Sequence, residues 1–522
     1  MTTDDAPAPT GGSVRARPSA TRTRAAVADR WIIAGEVVIA AVVVLWALGA
    51  KSFWLDEAFT WSSVHRSWGA FVHHVTTTEA GGAGYLAFMW GWSRISDAEW
   101  FLRLPSALCA LPLVPLVALT GRRLFGRRVA LVAGLLIAID VNVVAYGQET
   151  RTYLLTMLLG TMSVYGFVGE ITAPSRRSFW TWVVPGGLLV STQPAGLGVL
   201  AAQAVSLLFV PREHLRRDRL ARGGAVVVAM SAPMLVLLAV TRGERTHFLE
   251  GGRSPSEIVH AVASIAATGA RALVVVLFAL ALFALTRAWT EWRRSTRSVR
   301  AWSHALLWCW LVVPTVVTIV ASFVEQSFQS RYLVQVTPAL VLLVAVAVCA
   351  LRPLWLGAAM LAVVVALSGV ALATYYDRPK DDWRDATAWL VAHARPGDRI
   401  VFLGDEARIP FEYYLHRQGG DAHGLVPLYP DQPWTRFRTG DETQRFPTAS
   451  EVRAWARSGR RIWTVTARGG PWPAGQDDAA ARRSVAALRA RLRPVEHHVF
   501  RPDVDVVLYA PTTVTARAAG ST

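Results

Sequence analysis

Repeated apolar segments, each about as long as a membrane is thick, constrain the fold of this chain more than any other feature. A helix of about 20 apolar residues crosses a hydrocarbon core roughly 30 Å thick. Such segments lie near residues 31–50, 101–120, 129–146, 152–169, 178–193, 196–210, 224–241, 270–286, 302–322, 332–350 and 353–375. The 522-residue chain is 53% hydrophobic and 17% charged, which is rare in a soluble protein. The sequence therefore predicts a polytopic α-helical membrane protein with about 11 transmembrane helices.

Arginine residues cluster in every second connection between these segments. The arginine-rich connections are residues 122–128, 176–177, 212–222 and 287–300. Because cytoplasmic loops carry an excess of basic residues, we expect the disordered basic tail 1–30 to lie in the cytoplasm. An odd number of spans then places the C-terminal region outside. The net charge of +17 thus indicates the topology of a multi-pass plasma-membrane protein, and no nucleic acid is expected as a partner.

The composition becomes mixed and polar at about residue 376, where the transmembrane domain 31–375 ends. Alternating helices and strands are predicted from there on: helices at 382–393, 411–417 and 479–492, and strands at 399–403, 461–466 and 505–509. This pattern is typical of a small α/β domain. We therefore expect an extracytoplasmic α/β domain at 376–510 and a disordered tail at 511–522.

The first external loop, residues 51–100, carries apolar residues at helical spacing. They are Trp61, Val64, Trp68, Phe71, Val72 and Val75, with polar residues between them. The spacing predicts one amphipathic helix that lies in the membrane interface. A loop helix packed inside the protein is the alternative.

Four groups of polar residues are expected on the external face. They are Asp56 with Glu57; Glu79, before a glycine-rich turn that leads to Tyr85; Gln148, Glu149, Arg151 and Tyr153; and Arg331 with Tyr332. Carboxylates can take up a proton or bind a hydroxyl group, and arginine binds phosphate oxygens in a bidentate manner. Two simpler explanations stay open: Arg331 could be an interfacial cation, and Glu149 and Arg151 could form a local ion pair.

Six short motifs, which include three of these four groups, resemble those of one family. They are residues 53–60 (FWLDEAFT), 102–107 (LRLPSA), 121–126 (GRRLFG), 146–153 (YGQETRTY), Arg331-Tyr332 followed by Pro338, and 382–384 (DWR) with 396–398 (PGD). In this order the motifs resemble those of GT-C glycosyltransferases of the protein O-mannosyltransferase and lipid A aminoarabinose transferase type, glycosyltransferase family 39. The resemblance covers roughly residues 30–420.

The resemblance implies an enzyme that moves a sugar from a polyprenyl phosphate to an acceptor outside the cytoplasm, usually with inversion at the anomeric carbon. The acceptor would be a cell-envelope glycan, a lipid or a protein. Asp56 is the implied general base or ligand of the acceptor hydroxyl, Glu57 its supporting partner, and Glu79 a further catalytic acid. Arg151 and Arg331 are the implied ligands of the donor phosphate.

Further substrate-binding residues follow from the same motifs: Tyr85, Gln148, Glu149, Tyr153 and Tyr332. Where the family often has Asp followed by HPPLYY, this chain has Glu79 followed by AGGAGYL. No cofactor is implied. No metal site is expected either, because the histidine pairs 73–74 and 497–498 are sequence neighbours that cannot easily face one ion.

Two other functions remain possible at the level of the sequence. A secondary transporter or flippase would need internal repeats with broken helices, and none is apparent. We interpret Asp140, in the predicted span 129–146, as the only acid within the membrane, and we expect it to make a structural contact rather than to relay protons. The second alternative is a non-catalytic relative that scaffolds cell-envelope assembly.

Overall fold

The computed structural model describes residues 20–241, 255–265, 270–296, 298–325, 330–439, 446–467 and 476–511. Residues 1–19 and 512–522 of the two predicted disordered tails lie outside the described residues, whereas residues 20–30 already belong to the first helix, Ala20–Leu45. The helices of the first three hundred residues are α1 (Ala20–Leu45), α2 (Leu55–Val64), α3 (Trp68–Thr77), α4 (Ala83–Trp92), α5 (Glu99–Phe125), α6 (Arg127–Ala138), α7 (Val141–Gly147), α8 (Tyr153–Thr172), α9 (Arg176–Thr192), α10 (Leu197–Ser206), α11 (Arg217–Val240), α12 (Pro255–Ser264) and α13 (Arg271–Arg294). They are followed by α14 (Val299–Glu325), α15 (Thr337–Ala350) and α16 (Leu354–Asp377).

Seven helices in the described part of the chain are long and apolar enough to cross a membrane, or eight if the bent pair α6–α7 is one span. The seven are α5, α8, α11, α13, α14, α15 together with the 3₁₀ turn before it (Ser330–Val336), and α16. The remaining predicted spans fall on α1, α9 and α10. The polytopic helical architecture is confirmed, whereas the number of eleven spans stays a prediction.

Asp140 explains why the predicted span 129–146 is bent. Its side chain accepts hydrogen bonds from the backbone N–H groups of Asn142 (2.9 Å) and Val143 (3.1 Å). It is therefore the N-cap of α7, a position where Asp satisfies donors that the helix itself leaves unpaired. The two helices meet at 46°. Asp140 thus makes a structural contact, as expected.

Glu36 corrects one interpretation of the sequence, because Asp140 is not the only acid within an apolar segment. Glu36 lies on α1 inside the first predicted span and is only 4% exposed. Its Oε2 atom has no hydrogen-bond partner among the described residues. It occupies the space left by Gly134 on α6, where a Cβ atom would come within 2.1 Å of that oxygen.

The prediction of one amphipathic helix in the membrane interface is wrong. The segment folds as two short helices, α2 and α3, with a break at 65–67. Trp61, Val64, Phe71 and Val75 are buried within the protein. Only Trp68 and Val72 stay exposed. The alternative of a packed loop is the one that the structure shows.

The C-terminal α/β domain supplies the surface that buries this loop. Its elements are α17 (Trp383–His393), β1 (Arg399–Leu403), α18 (Arg408–Arg417), β2 (Val426–Tyr429), α19 (Ala449–Arg457), β3 (Ile462–Ala467), α20 (Gln476–Arg489), β4 (Leu492–Phe500) and β5 (Val504–Pro511). The sheet has the order β2-β1-β3-β5-β4, with β1 parallel to β2 and β3, and β5 antiparallel to β3 and β4. The small α/β domain is therefore confirmed. The sequence did not predict β2, β4 and α19. The helix predicted at 479–492 ends at Arg489 in the structure, and β4 begins at Leu492.

Helix α18 attaches the domain to the start of the first external loop. The Tyr414 hydroxyl accepts hydrogen bonds from the Phe53 N–H (2.6 Å) and from Ser52 Oγ (3.0 Å), and it donates to Glu99. The neighbouring Tyr413 ring stacks on Phe53 at 4.7 Å between centroids. These contacts fix the backbone immediately before Asp56 and Glu57, so the C-terminal domain positions the candidate site.

Candidate functional site

Helix α2 places two adjacent carboxylates in its first turn. Asp56 and Glu57 are 6% and 0% exposed, respectively. Acidic side chains are favoured there, because the first backbone N–H groups of a helix carry partial positive charge. Burial is costly for a carboxylate unless it is paired. The two acids meet this requirement in different ways.

Glu57 is fully enclosed by positive groups. Arg103 on α5 binds it with Nε–Oε1 at 2.7 Å and Nη2–Oε2 at 2.8 Å. Lys380 contributes a contact of 3.1 Å, and the backbone N–H of Thr150 another of 3.1 Å. Burial by itself raises the pKa of Glu57, but Arg103 and Lys380 outweigh it and hold that pKa well below its ordinary value. Glu57 is therefore a permanently charged structural anchor.

Arg103 ties this anchor to the chain that follows α1. Its remaining N–H groups donate to the backbone carbonyls of Leu48 (2.9 Å), Lys51 (2.8 Å) and Ser52 (3.2 Å). The guanidinium is 1% exposed. One buried arginine on α5 therefore joins the end of the first apolar segment to Glu57 on α2.

Asp56 faces the two arginines that the sequence assigned to phosphate. Arg331 Nη1 lies 2.6 Å from Asp56 Oδ2, and Arg151 Nη2 lies 3.9 Å from the same atom. Asp56 Oδ2 nonetheless has no hydrogen-bond partner among the described residues, so its contact with Arg331 is an ion pair. Arg331 is therefore a half-buried ion-pair partner of Asp56.

Arg151 is held from several sides. It donates to the Asp56 carbonyl (3.3 Å), to Thr60 Oγ1 (3.2 Å) and to the Tyr153 hydroxyl (3.5 Å). Burial alone would lower its pKa, but Tyr153, Asp56 and, more weakly, Glu79 raise it instead. Glu79, which precedes the short 3₁₀ helix Ala80–Gly82, thus acts electrostatically on the same guanidinium as Asp56.

Gln148 and Glu149 have separate roles. Gln148 Nε2 donates to the carbonyls of Val44 (3.0 Å) and Trp46 (2.7 Å), and its Oε1 accepts from Tyr375 (3.1 Å). All its polar atoms are thus used in holding helices together, and the binding role implied for it stays a prediction.

Glu149 contacts Lys380 through Oε1 at 3.3 Å. Its second oxygen is buried without a hydrogen-bond partner among the described residues. The proposed local pair with Arg151 does not form, since Arg151 turns to Asp56 and Glu149 to Lys380.

Three tyrosines surround these charges. Tyr153 is 1% exposed and packs edge-on against Tyr146 at 5.3 Å. Tyr332 follows Arg331 on the 3₁₀ helix Ser330–Val336 and is half-buried. Tyr85 on α4 is buried and lines an apolar cavity of about 270 Å³, together with Phe88, Trp92, Pro105, Ser106, Leu108, Cys109 and Leu155.

Three residues of this site were missed in the sequence: Trp54, Arg103 and Lys380. The Trp54 indole lies 5.7 Å from the Arg331 guanidinium and 5.9 Å from Lys380 Nζ, so both cation–acid pairs flank one ring. Lysine usage was an overlooked signal. The chain contains only Lys51 and Lys380, and both lie beside this cluster, Lys51 at 3.9 Å above the Tyr375 ring.

Several buried polar atoms of the cluster have no hydrogen-bond partner within the described ranges. They include Trp54 Nε1, Asp56 Oδ2, Glu149 Oε2, Thr150 Oγ1, Arg151 Nε and Arg331 Nε. Leaving such an atom unpaired costs about 1–3 kcal/mol, and unpaired buried groups are few in native proteins. Donors and acceptors left over in one place are typical of a site for a polar ligand. Among all the residues that the structure describes, no three His, Cys, Asp or Glu side chains come close enough to hold a metal ion.

Solved structures with the same arrangement of helices identify the fold. ArnT from Cupriavidus metallidurans, bound to undecaprenyl phosphate, is 16% identical, with a TM-score of 0.56 over 94% of this chain and 99% of that one. The oligosaccharyltransferase AglB from Archaeoglobus fulgidus, in complex with an inhibitory peptide and a dolichol-phosphate, is 12% identical, with a TM-score of 0.52 over 84% of this chain and 69% of that one. The chain has the GT-C fold.

The GT-C assignment is also supported by a family model. Residues 84–237 match that of the dolichyl-phosphate-mannose-protein mannosyltransferases. No curated protein sequence matches the chain significantly. The resemblance to GT-C glycosyltransferases and the multi-pass membrane architecture are thus confirmed, while the roles of the individual site residues stay predictions.

Proposed function

We propose that this GT-C protein is a glycosyltransferase that moves a sugar from a polyprenyl phosphate to an acceptor outside the cytoplasm. One observation carries the proposal: Arg151 and Arg331 are half-buried, both lie beside Asp56, and each has a buried Nε–H without a hydrogen-bond acceptor among the described residues. Two guanidinium groups with unused donors suit the oxygens of a phosphate.

The arginines would act mainly on the leaving group. When the bond between the anomeric carbon and the phosphate oxygen breaks, the singly charged phosphodiester becomes a phosphate monoester with more negative charge. Fixed positive groups in a dry site stabilise this developing charge, often the largest single contribution to catalysis. Asp56 would be the counter-ion of the two arginines in the absence of donor, and the donor phosphate would replace Asp56 as their partner.

The apolar cavity beside Tyr85 offers a place for the hydrocarbon part of the donor. Ser106, one of its lining residues, donates to the backbone carbonyl of Arg151 at 3.0 Å. Phe88 and Leu108 in the same lining are about half exposed on the outer surface. A hydrocarbon chain in this cavity would extend from the protein surface towards the candidate phosphate site. The acceptor of the sugar would be a cell-envelope glycan, a lipid or a protein.

Supplying labelled polyprenyl-phosphate sugars to the purified protein in nanodiscs tests the function. We expect one sugar to be consumed, with release of polyprenyl phosphate, when an extract of cell-envelope acceptors is present. Binding of the lipid without any consumption would favour a scaffold. Movement of the intact lipid between leaflets, without cleavage, would favour a flippase.

The external location of the site is testable by cysteine accessibility. In a variant without Cys109, Cys309 and Cys349, we expect Gln418→Cys, on the exposed end of α18, to react with an impermeant maleimide in intact cells. Arg177→Cys, in an arginine-rich connection, should react only after lysis. The reverse pattern would place Asp56 in the cytoplasm and contradict the proposal.

A further inference from the structure

Two carboxylates of the site differ in the pairing of their oxygens. Asp56 Oδ2, although it has no hydrogen bond, is neutralised by Arg331 at 2.6 Å, with Arg151 at 3.9 Å. Glu149 has a single contact of 3.3 Å, from Oε1 to Lys380, and its buried Oε2 has neither a hydrogen bond nor an ion pair among the described residues. Because Arg331 and Lys380 both lie within 6 Å of the Trp54 ring, the two pairs line the same site.

We propose that Glu149 takes the proton from the acceptor hydroxyl and that Lys380 is its positioning residue, an inference that rests on the proposed transferase function. The acceptor oxygen forms a bond to the anomeric carbon while the carbon–oxygen bond to the phosphate breaks. The electron pair of that bond leaves with the phosphate, and the hydroxyl proton passes to Glu149 Oε2. No further reactant is required.

The other acids near the site are less suited to this step. Asp56 is poorly placed for this step, because Arg331 Nη1 lies 2.6 Å and Arg151 Nη2 3.9 Å from its Oδ2, where an acceptor hydroxyl would have to approach. Glu57 has both oxygens occupied by Arg103, Lys380 and the Thr150 N–H. Glu79 lies further out in the loop, partly exposed.

The surroundings of Glu149 also adjust its proton affinity in the required direction. Burial raises the pKa of Glu149, Lys380 lowers it, and the charges of Glu57 and Asp56 raise it again. The pKa of Glu149 therefore lies above its ordinary value, the direction that makes a carboxylate a stronger general base. The titratable and charged groups that face Glu149 are Lys380, Glu57, Asp56, Tyr146 and Tyr375.

Comparing Glu149→Gln with Asp56→Asn tests the assignment in the same nanodiscs. We expect Glu149→Gln to lower kcat by about 10²–10⁴-fold with donor affinity retained. Asp56→Asn should bind donor at least as tightly as the parent, since it no longer competes for Arg331, and should lose less turnover. Glu79→Gln serves as the comparison for an acid at the edge of the site.

Rescue by a small carboxylate distinguishes a base from a structural residue. Formate should restore part of the turnover of Glu149→Ala and none of that of Asp56→Ala. Rescue of Asp56→Ala alone would overturn the proposal and make Asp56, which the sequence favoured, the base. A parent protein that transfers no sugar would instead count against the proposed function, so the two failures are distinguishable.

Lys380 gives an independent measurement through the pH profile. Removing its charge raises the pKa of Glu149, and the base must be deprotonated to act. The acidic limb of the kcat profile should therefore move to higher pH in Lys380→Met and stay close to the parent in Lys380→Arg. A purely structural role would lower kcat at all pH values without moving the limb, and that result would contradict the proposal.

Discussion

Replacing Arg331 by alanine should weaken binding of the polyprenyl-phosphate donor by roughly 10- to 150-fold. The estimate follows from the loss of charged hydrogen bonds worth about 1.5–3 kcal/mol. Arg331→Lys should fall between the parent and the alanine variant, because an ammonium keeps the charge but cannot bind two phosphate oxygens in a planar fork. Equilibrium binding of a labelled donor in nanodiscs measures the effect.

Two controls separate binding from stability in this experiment. Arg331→Ala leaves Asp56 buried without its partner, whereas the double variant Asp56→Asn/Arg331→Ala removes both charges. If the phosphate contact matters, donor binding stays weak in the double variant even where thermal stability recovers. Arg417→Ala removes an exposed arginine of α18 and should leave the affinity unchanged. An Arg331→Ala protein that binds donor like the parent would exclude this arginine from the phosphate site.

Replacing Glu57 by glutamine should strongly destabilise the protein. Arg103, 1% exposed, would keep its charge without a counter-ion, and breaking a buried ion pair from one side costs about 3–5 kcal/mol. Arg103→Gln should cost a similar amount. Fluorescence-detected thermal unfolding in detergent measures the stability of both variants, and the pH dependence of that stability is a second measurement.

The pH dependence has a defined sign. The pKa of Glu57 is lowered in the folded protein, so its stabilising contribution is complete above the ordinary glutamate pKa of about 4.3. It is lost as the pH falls below that value towards the folded-state pKa. The Glu57→Gln variant should therefore lose less stability than the parent on acidification.

A double-mutant cycle identifies the pair as the cause. Glu57→Gln with Arg103→Gln should cost less than the sum of the two single changes, because no charge remains unpaired. The exposed pair Glu291–Arg294 at 3.2 Å is the matched control, and Arg294→Gln should change stability by less than about 1 kcal/mol. Strict additivity at Glu57 and Arg103 would show that their contact does not carry the effect.

The local parts of the architecture were predictable from the sequence. Long apolar segments gave the helical membrane domain, because a bilayer demands about 20 apolar residues wherever a helix crosses it. Strands such as Arg399–Leu403 were predicted with the bounds that the structure has. The motifs around Asp56, Arg151 and Arg331 also predicted correctly that these residues lie together, as the contacts to Asp56 show.

Charge pairing and the burial of the first external loop were decided by the tertiary structure. Glu57 finds Arg103 46 positions away and Lys380 323 positions away, and nothing in the local pattern of Asp56-Glu57 distinguishes the anchored acid from the other. Likewise, the apolar stripe of α2 and α3 suits a membrane surface or a protein surface equally well. Residues of α18, more than 350 positions later, supply that protein surface.

The sequence by itself thus determined the helical membrane architecture and the residue types that gather around Asp56. The helical architecture follows from the solvent that each apolar segment must meet, a property of short stretches of chain. The tertiary structure alone decided which acid lies against two arginines and which has a buried oxygen without an ion pair. Electrostatic interactions depend on distance in space and on burial, and neither quantity is written in the order of the residues.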